Sequence, residues 1–127
     1  MGAEQEEVDA FLRKVRSFGL TYPETHLKSP WPGHNDLAVR DKTFAYLSVE
    51  GQPFSISCKL PFTGEAVKRD FSRAVPTAYG LGKSGWVSVD WPTDELPDIA
   101  LIKNWIDESY RAQAPKKLAR LVAPPQA

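Results

Sequence analysis

The chain has 127 residues, 42% of them hydrophobic, and its 16 Lys and Arg are balanced by 16 Asp and Glu. This length suits a single domain over 1–127, with an ordered core of about 4–122 and a tail at 123–127, and the apolar share excludes global disorder. Zero net charge argues against strong non-specific affinity for nucleic acid, so any such binding needs a local basic patch.

The lone Cys58 rules out an internal disulfide and a multi-cysteine zinc site, and His26 and His34 alone make a transition-metal site improbable. No cofactor is expected. No apolar run reaches the ~18 residues of a membrane span. The opening MGAEQEEVDA lacks the apolar stretch of a signal peptide, and Glu6 stands where a myristoylation signal carries Ser or Thr. The expected address is cytoplasmic, with no membrane partner.

Val8, Phe11, Leu12, Val15 and Phe18 recur at helical spacing, which predicts an amphipathic helix from about Glu4 to Phe18, ended by Gly19. Residues 20–34 hold three prolines and read as a long irregular loop, in which Trp31 is a candidate lid. Strands are expected at Leu37–Arg40, Thr43–Glu50 and Phe54–Leu60, joined by turns at Asp41-Lys42 and Gly51-Gln52-Pro53. Such short connections imply an antiparallel meander. Thr63-Gly64-Glu65 opens a helix running to about Ala74, which Val75-Pro76 ends.

A glycine-punctuated loop at Gly80–Gly85 then leads into the strand Trp86–Trp91. Ile99, Ile102, Trp105, Ile106 and Tyr110 form the stripe of a second long helix, broken at Pro115, and Lys116–Val122 suits a short final helical turn. The expected class is α+β: helix, three-strand meander, helix, strand, helix, with helices packed on one face of an antiparallel sheet.

Alternation assigns the two sheet faces. Ala45, Leu47, Val49, Phe54, Ile56, Cys58, Leu60, Val87, Val89 and Trp91 form the core side. Phe44, Tyr46, Ser48, Ser57, Lys59, Trp86 and Ser88 then point away from the helices. A few helices cover only one face, so the other is expected to be partly solvated. Aromatic rings among hydroxyls and a lysine make a platform on which bases stack, or on which a protein partner anchors. The competing reading closes the proline-rich loop over this face and makes Trp86 satellite core.

Other motifs weigh less. Gly82-Lys83-Ser84 lacks the Walker spacing and precedes a strand, so its glycines are expected to serve a turn, with Lys83 left as a point charge for a phosphate. His26, His34 and Asp36 lack a third ligand at diagnostic spacing. Ser109, in mid-helix, lacks the strained elbow of a nucleophile and is expected to make a local backbone bond, with Tyr110 in the core. Cys58 on the core side is expected to be inert. Arg111, Lys116, Lys117 and Arg120 form a basic run with no acid after Arg111. Such a run can grip phosphates or complement a helix C-terminus.

An ordered set of short motifs resembles the MmcQ/YjbR family. They are Gly19-Leu20 with Pro23-Glu24, Asp41-Lys42-Thr43-Phe44-Ala45, Cys58-Lys59, Ala78-Tyr79-Gly80, Gly85-Trp86-Val87-Ser88-Val89, Glu108-Ser109-Tyr110-Arg111 and Ala114-Pro115-Lys116-Lys117-Leu118. Together they span roughly residues 8–120. The resemblance implies a CyaY-like α+β fold and DNA binding in a proposed double-wing mode, and it brings no catalytic motif. The expectation is a non-enzymatic domain that binds DNA through Tyr46, Ser57, Lys59, Lys83, Trp86 and Ser88, with Lys116 and Lys117 as peripheral phosphate contacts. The alternative is a protein or small-ligand module using the same face.

Overall fold

The computed structural model of the chain describes residues 4–29, 33–78, 80–92 and 94–122. Trp31, Tyr79 and the expected tail at 123–127 lie outside the described residues.

Helix α1, Gln5–Gly19, begins at Glu4 with a capping box shared between Glu4 and Glu7. It buries Val8, Leu12 and Val15, the stripe read from spacing. Gly19 ends no helix by a left-handed turn. It is buried within α1, where a Cβ would lie 2.3 Å from Leu37 Cδ1, so its bare backbone lets the helix close on the sheet. Gly19→Ala should therefore lower stability by about 1–3 kcal/mol in urea unfolding, with Leu37 forced to a new rotamer.

The sheet is antiparallel and six-stranded: β1 Thr25–Lys28, β2 Asp36–Val39, β3 Lys42–Leu47, β4 Ser55–Lys59, β5 Ala74–Pro76 and β6 Trp86–Asp90, in spatial order β1-β2-β3-β4-β6-β5. Helix α2, Gly64–Asp70, lies between β4 and β5; α3, Ile99–Gln113, follows β6; and α4, Lys116–Ala119, is the expected final turn. The α+β class and the meander agree with the sequence reading. The proline-rich segment, however, is not wholly irregular, because its residues 25–28 add edge strand β1. Helix α2 also stops four residues earlier than its pattern suggests, and Ala74–Pro76 pairs with β6 as the other edge. An edge strand tolerates Pro76, whose missing N–H faces no partner.

One helix face holds the core. Leu37, Ala45, Ile56, Cys58, Val87 and Val89 meet Val8, Leu12 and Val15 of α1, Val67 of α2, Ile102, Trp105, Ile106 and Tyr110 of α3, and Leu118 of α4. Phe54, Trp91 and Trp105 stack in series along it, with ring centroids 5.7 Å and 6.2 Å apart.

Phe44 corrects the alternation reading. The β2–β3 register shifts between Leu37 and Ala38, so that Ala38 faces Thr43 but Leu37 faces Ala45. Phe44 is the extra residue of a β-bulge. Parity is lost there, and Phe44 joins Ala45 in the core, fully buried, its ring 5.4 Å from that of Tyr110.

Candidate functional site

Pairing brings most of the expected face together. Tyr46 faces Ser57, Ser57 faces Ser88, and Lys59 faces Trp86 across β3, β4 and β6. These side chains oppose Cys58, Ile56, Val87 and Val89, as alternation requires.

The face is not an open platform. Trp86 is only 4% exposed, and its ring centroid lies 5.3 Å from that of Tyr46 at a tilt of 51°. The expectation of an indole open to water is overturned: Trp86 is packed in a satellite cluster outside the main core. The hydroxyls are engaged too. Ser57 Oγ and Ser88 Oγ are 2.6 Å apart, and Ser88 Oγ lies 2.8 Å from Thr77 Oγ1. Lys59 is half-buried. Lys83 is exposed in a short 3-10 helix, Leu81–Ser84, flanked by Gly80 and Gly85 with φ of 80° and 88°. Those two glycines supply the positive φ the turn needs, as expected.

The antiparallel register has a second consequence. The start of β3 at Lys42, the end of β4 at Lys59 and the start of β6 at Trp86 all fall at one end of the sheet. Arg40 and Asp41 form the β2–β3 turn there, and Lys83 immediately precedes β6. The C-terminal end of α3 arrives at the same place, since Gln113 Nε2 donates to Thr43 O at 3.0 Å. A depression of about 280 Å³ is lined by Arg40, Asp41, Lys42, Gln113, Ala114 and Pro115. An adjoining depression of about 250 Å³ is lined by Arg111, Lys116, Ala119 and Arg120.

Lys116, Lys117, Arg120, Arg40 and Lys42 are all exposed. Of the two acids at this corner, Glu24 is committed. Glu24 holds Arg40 by two bonds, of 3.0 and 3.1 Å, and this pairing lowers the Glu24 carboxyl, with a smaller lowering from Lys117. Both Glu24 and Arg40 sit at left-handed φ near 55°, and Arg40 N donates to Glu24 O, so this corner is fixed by backbone as well as side chain. Lys28 Nζ donates to the backbone carbonyl of Asp41, whose carboxylate accepts no hydrogen bond among the described residues.

Glu108-Ser109-Tyr110-Arg111 does something other than expected. Glu108 accepts from Phe62 N at 2.8 Å and from Thr63 N and Thr63 Oγ1 at 3.1 and 2.8 Å, pinning the turn before α2. Ser109 Oγ accepts from Lys59 N at 2.8 Å and donates to Phe44 O, so its bonds run to distant strands and not to its own helix. Tyr110 is a core residue, as expected, and its hydroxyl donates to Pro23 O at 2.8 Å.

Arg111 Nε donates to Asp107 Oδ2 at 2.7 Å, and its other nitrogens donate to Ala119 O and Val122 O. Tyr22 OH donates to Asp107 Oδ1 at 2.7 Å. Burial, then the Asp107 bond and charge, push the Tyr22 phenol far up. Sequence reading missed Asp107 and named Glu108 only within a motif, without its role. The available signal for Asp107 was a carboxylate next to the stripe residue Ile106, one turn before Arg111.

Among the described residues no group of three or more His, Cys, Asp or Glu is placed to hold a metal ion. His26 is exposed on edge strand β1, while Asp36 is 1% exposed. Asp36 Oδ1 accepts from Leu47 N at 2.8 Å, and Oδ2 has no hydrogen-bond partner. Burial raises the Asp36 carboxyl, against the Leu47 amide and the nearby His34 and Arg16, which lower it. Cys58 is buried, and burial pushes its thiol up, which leaves no thiolate for chemistry. No helix among the described residues is long and apolar enough to cross a membrane.

A family model, YjbR, matches residues 20–112, which includes every strand and most of α3. The chain belongs to the YjbR family. No curated protein matches it. Its fold is shared by the crystal structure of the Deinococcus radiodurans protein DR2400, a domain described as DUF419. The two superpose with a TM-score of 0.68 at 20% identity, over 87% of this chain and 86% of that one. At that identity the likeness concerns architecture alone. Within this YjbR domain, Glu108–Arg111 joins layers, and Lys116, Lys117 and Arg120 face solvent on and just after α4.

Proposed function

We propose that this YjbR domain is a non-enzymatic nucleic-acid-binding module, with DNA as its ligand, gripping phosphates with the basic end of the sheet instead of stacking bases on Trp86. The observation that carries the reading is the convergence of Arg40 and Lys42, at the β2–β3 corner, with Lys116 and Arg120, on and just after α4, around depressions that meet at Pro115-Lys116, with Lys117 near enough to Glu24 to lower its carboxyl. Exposed cations from separate elements, with Glu24 engaged by Arg40 and Asp41 as the other acid beside them, make a phosphate-tracking surface on a chain of zero net charge. Lys83 extends the same end.

The test is fluorescence anisotropy with duplex and single-stranded DNA at about 50 and 150 mM salt. Affinity should fall with salt, and Lys116→Glu with Lys117→Glu should weaken it at least about tenfold and flatten the log–log salt slope by about two. Absence of binding at ~50 mM salt in the range of 10⁻⁴–10⁻⁶ M, or a slope untouched by the pair, removes the proposal.

A second reading, a protein-binding module, has one observation of its own. Phe62 is 89% exposed on a turn that Glu108 pins. A partner anchored there would be lost on Phe62→Ala and would bind with little dependence on salt.

A further inference from the structure

The solvent side of α1 carries two acids at one end and two bases at the other. Val8, Leu12, Val15 and Gly19 are buried, so Glu6, Glu7, Ala10, Arg13, Lys14 and Ser17 lie on the outward side, at i, i+3, i+4 and i+7 spacing. Ala10 is the midpoint. The two glutamates lie one turn toward the N-terminus and the two cations one turn toward the C-terminus.

Glu6 and Lys14 have no hydrogen bond or ion pair among the described residues. Arg13 uses Nη1 on Glu50, leaving its other donors available. Next to α1, toward α3, runs an open depression of about 700 Å³ lined by Arg13, Lys14, Phe18, Ile99 and Lys103 among others, with Lys103 Nζ 5.2 Å from the centre of the Phe18 ring.

A two-fold axis lying across α1 near Ala10 maps this pattern onto its own complement. A two-fold interface places a residue against one equally far from the axis on the other side. Glu6 then meets Lys14 of a second copy, Glu7 meets Arg13 of a second copy, and Ala10, with its small side chain, sits at the closest approach. We infer that the chain forms a homodimer through antiparallel pairing of α1. The apolar floor of Phe18 and Ile99 seats the edge of the second copy's helix.

An acidic peptide would answer only the basic half of the helix and leave Glu6 and Glu7 opposed. A second copy answers both halves at once, which is why the charge pattern selects it.

The test is sedimentation equilibrium on the full chain at low and high salt, with circular dichroism as the check on folding. The variants are Glu6→Lys with Glu7→Lys, and Arg13→Glu with Lys14→Glu. The wild type should dimerise and the dimer should weaken at high salt. Each variant alone should dimerise at least about tenfold more weakly, and an equimolar mixture of the two should recover the wild-type dimer, because their helix faces are now opposite in sign. Lys14→Glu alone is the milder form, and each such change is counted twice in the dimer. A wild type that stays monomeric at about 1 mM overturns the inference. So does either double variant that dimerises as well as the wild type, or a mixture that fails to recover.

Discussion

Ser109→Ala will lower the unfolding free energy by about 2–3 kcal/mol, far more than a one-atom deletion on a surface would. Ser109 is fully buried. Its hydroxyl lies where the β3–β4 ladder would continue past Ala45 opposite Cys58 to Phe44 opposite Lys59. The bulge at Phe44 disturbs that step, and Ser109 accepts the Lys59 amide while donating to the Phe44 carbonyl. Deleting the oxygen strands a donor and an acceptor together, and each carries its own desolvation penalty.

Urea unfolding at neutral pH measures the loss. Ser57→Ala is the matched control, since Ser88 keeps Thr77 as partner when Ser57 is gone. It should cost under about 1 kcal/mol. Equal losses at the two serines would show that Ser109 is not a splice in the ladder.

Asp107→Ala will cost about 3 kcal/mol, toward the lower end for a buried pair because the Arg111 side chain is 32% exposed. The Asp107 carboxylate is 7% exposed and bridges Tyr22 OH to Arg111 Nε. Its loss leaves a buried phenol without an acceptor and a guanidinium without its counter-charge. The local consequence is more telling than the global one. Arg111 is also what holds the carbonyls of Ala119 and Val122, so α4 depends on it. Hydrogen exchange should speed at the amides of Leu118–Val122 before it speeds in α1 or β4. Uniform acceleration across the chain would show that the carboxylate supports the core at large and does not position α4.

The two long helices were legible because their apolar stripes repeat at helical spacing over four turns. Strands β3, β4 and β6 were legible because alternation ran through Ala45 and Leu47, Ile56 and Cys58, and Val87 and Val89. Strand β1 was not legible: four residues, His26 and Leu27 exposed at their centre, carry no alternation. Strand β5 was hidden by Pro76, which reads as a breaker unless the strand is known to lie at an edge.

Phe44 was assigned to the wrong face because period two fails across a bulge, and nothing in Lys42–Leu47 marks where the extra residue falls. Trp86 was assigned to the right face, but exposure does not follow from orientation when Tyr46 packs against the ring. The basic run at Lys116-Lys117 was visible in one dimension. Its partners Arg40 and Lys42 became neighbours only through the sheet register.

Four consecutive residues that carry this chain's resemblance to the family rivet its layers together: Glu108 to the turn before α2, Ser109 to two strands, Tyr110 to Pro23, Arg111 to α4. Likeness in those residues therefore certifies a chassis and is silent about cargo.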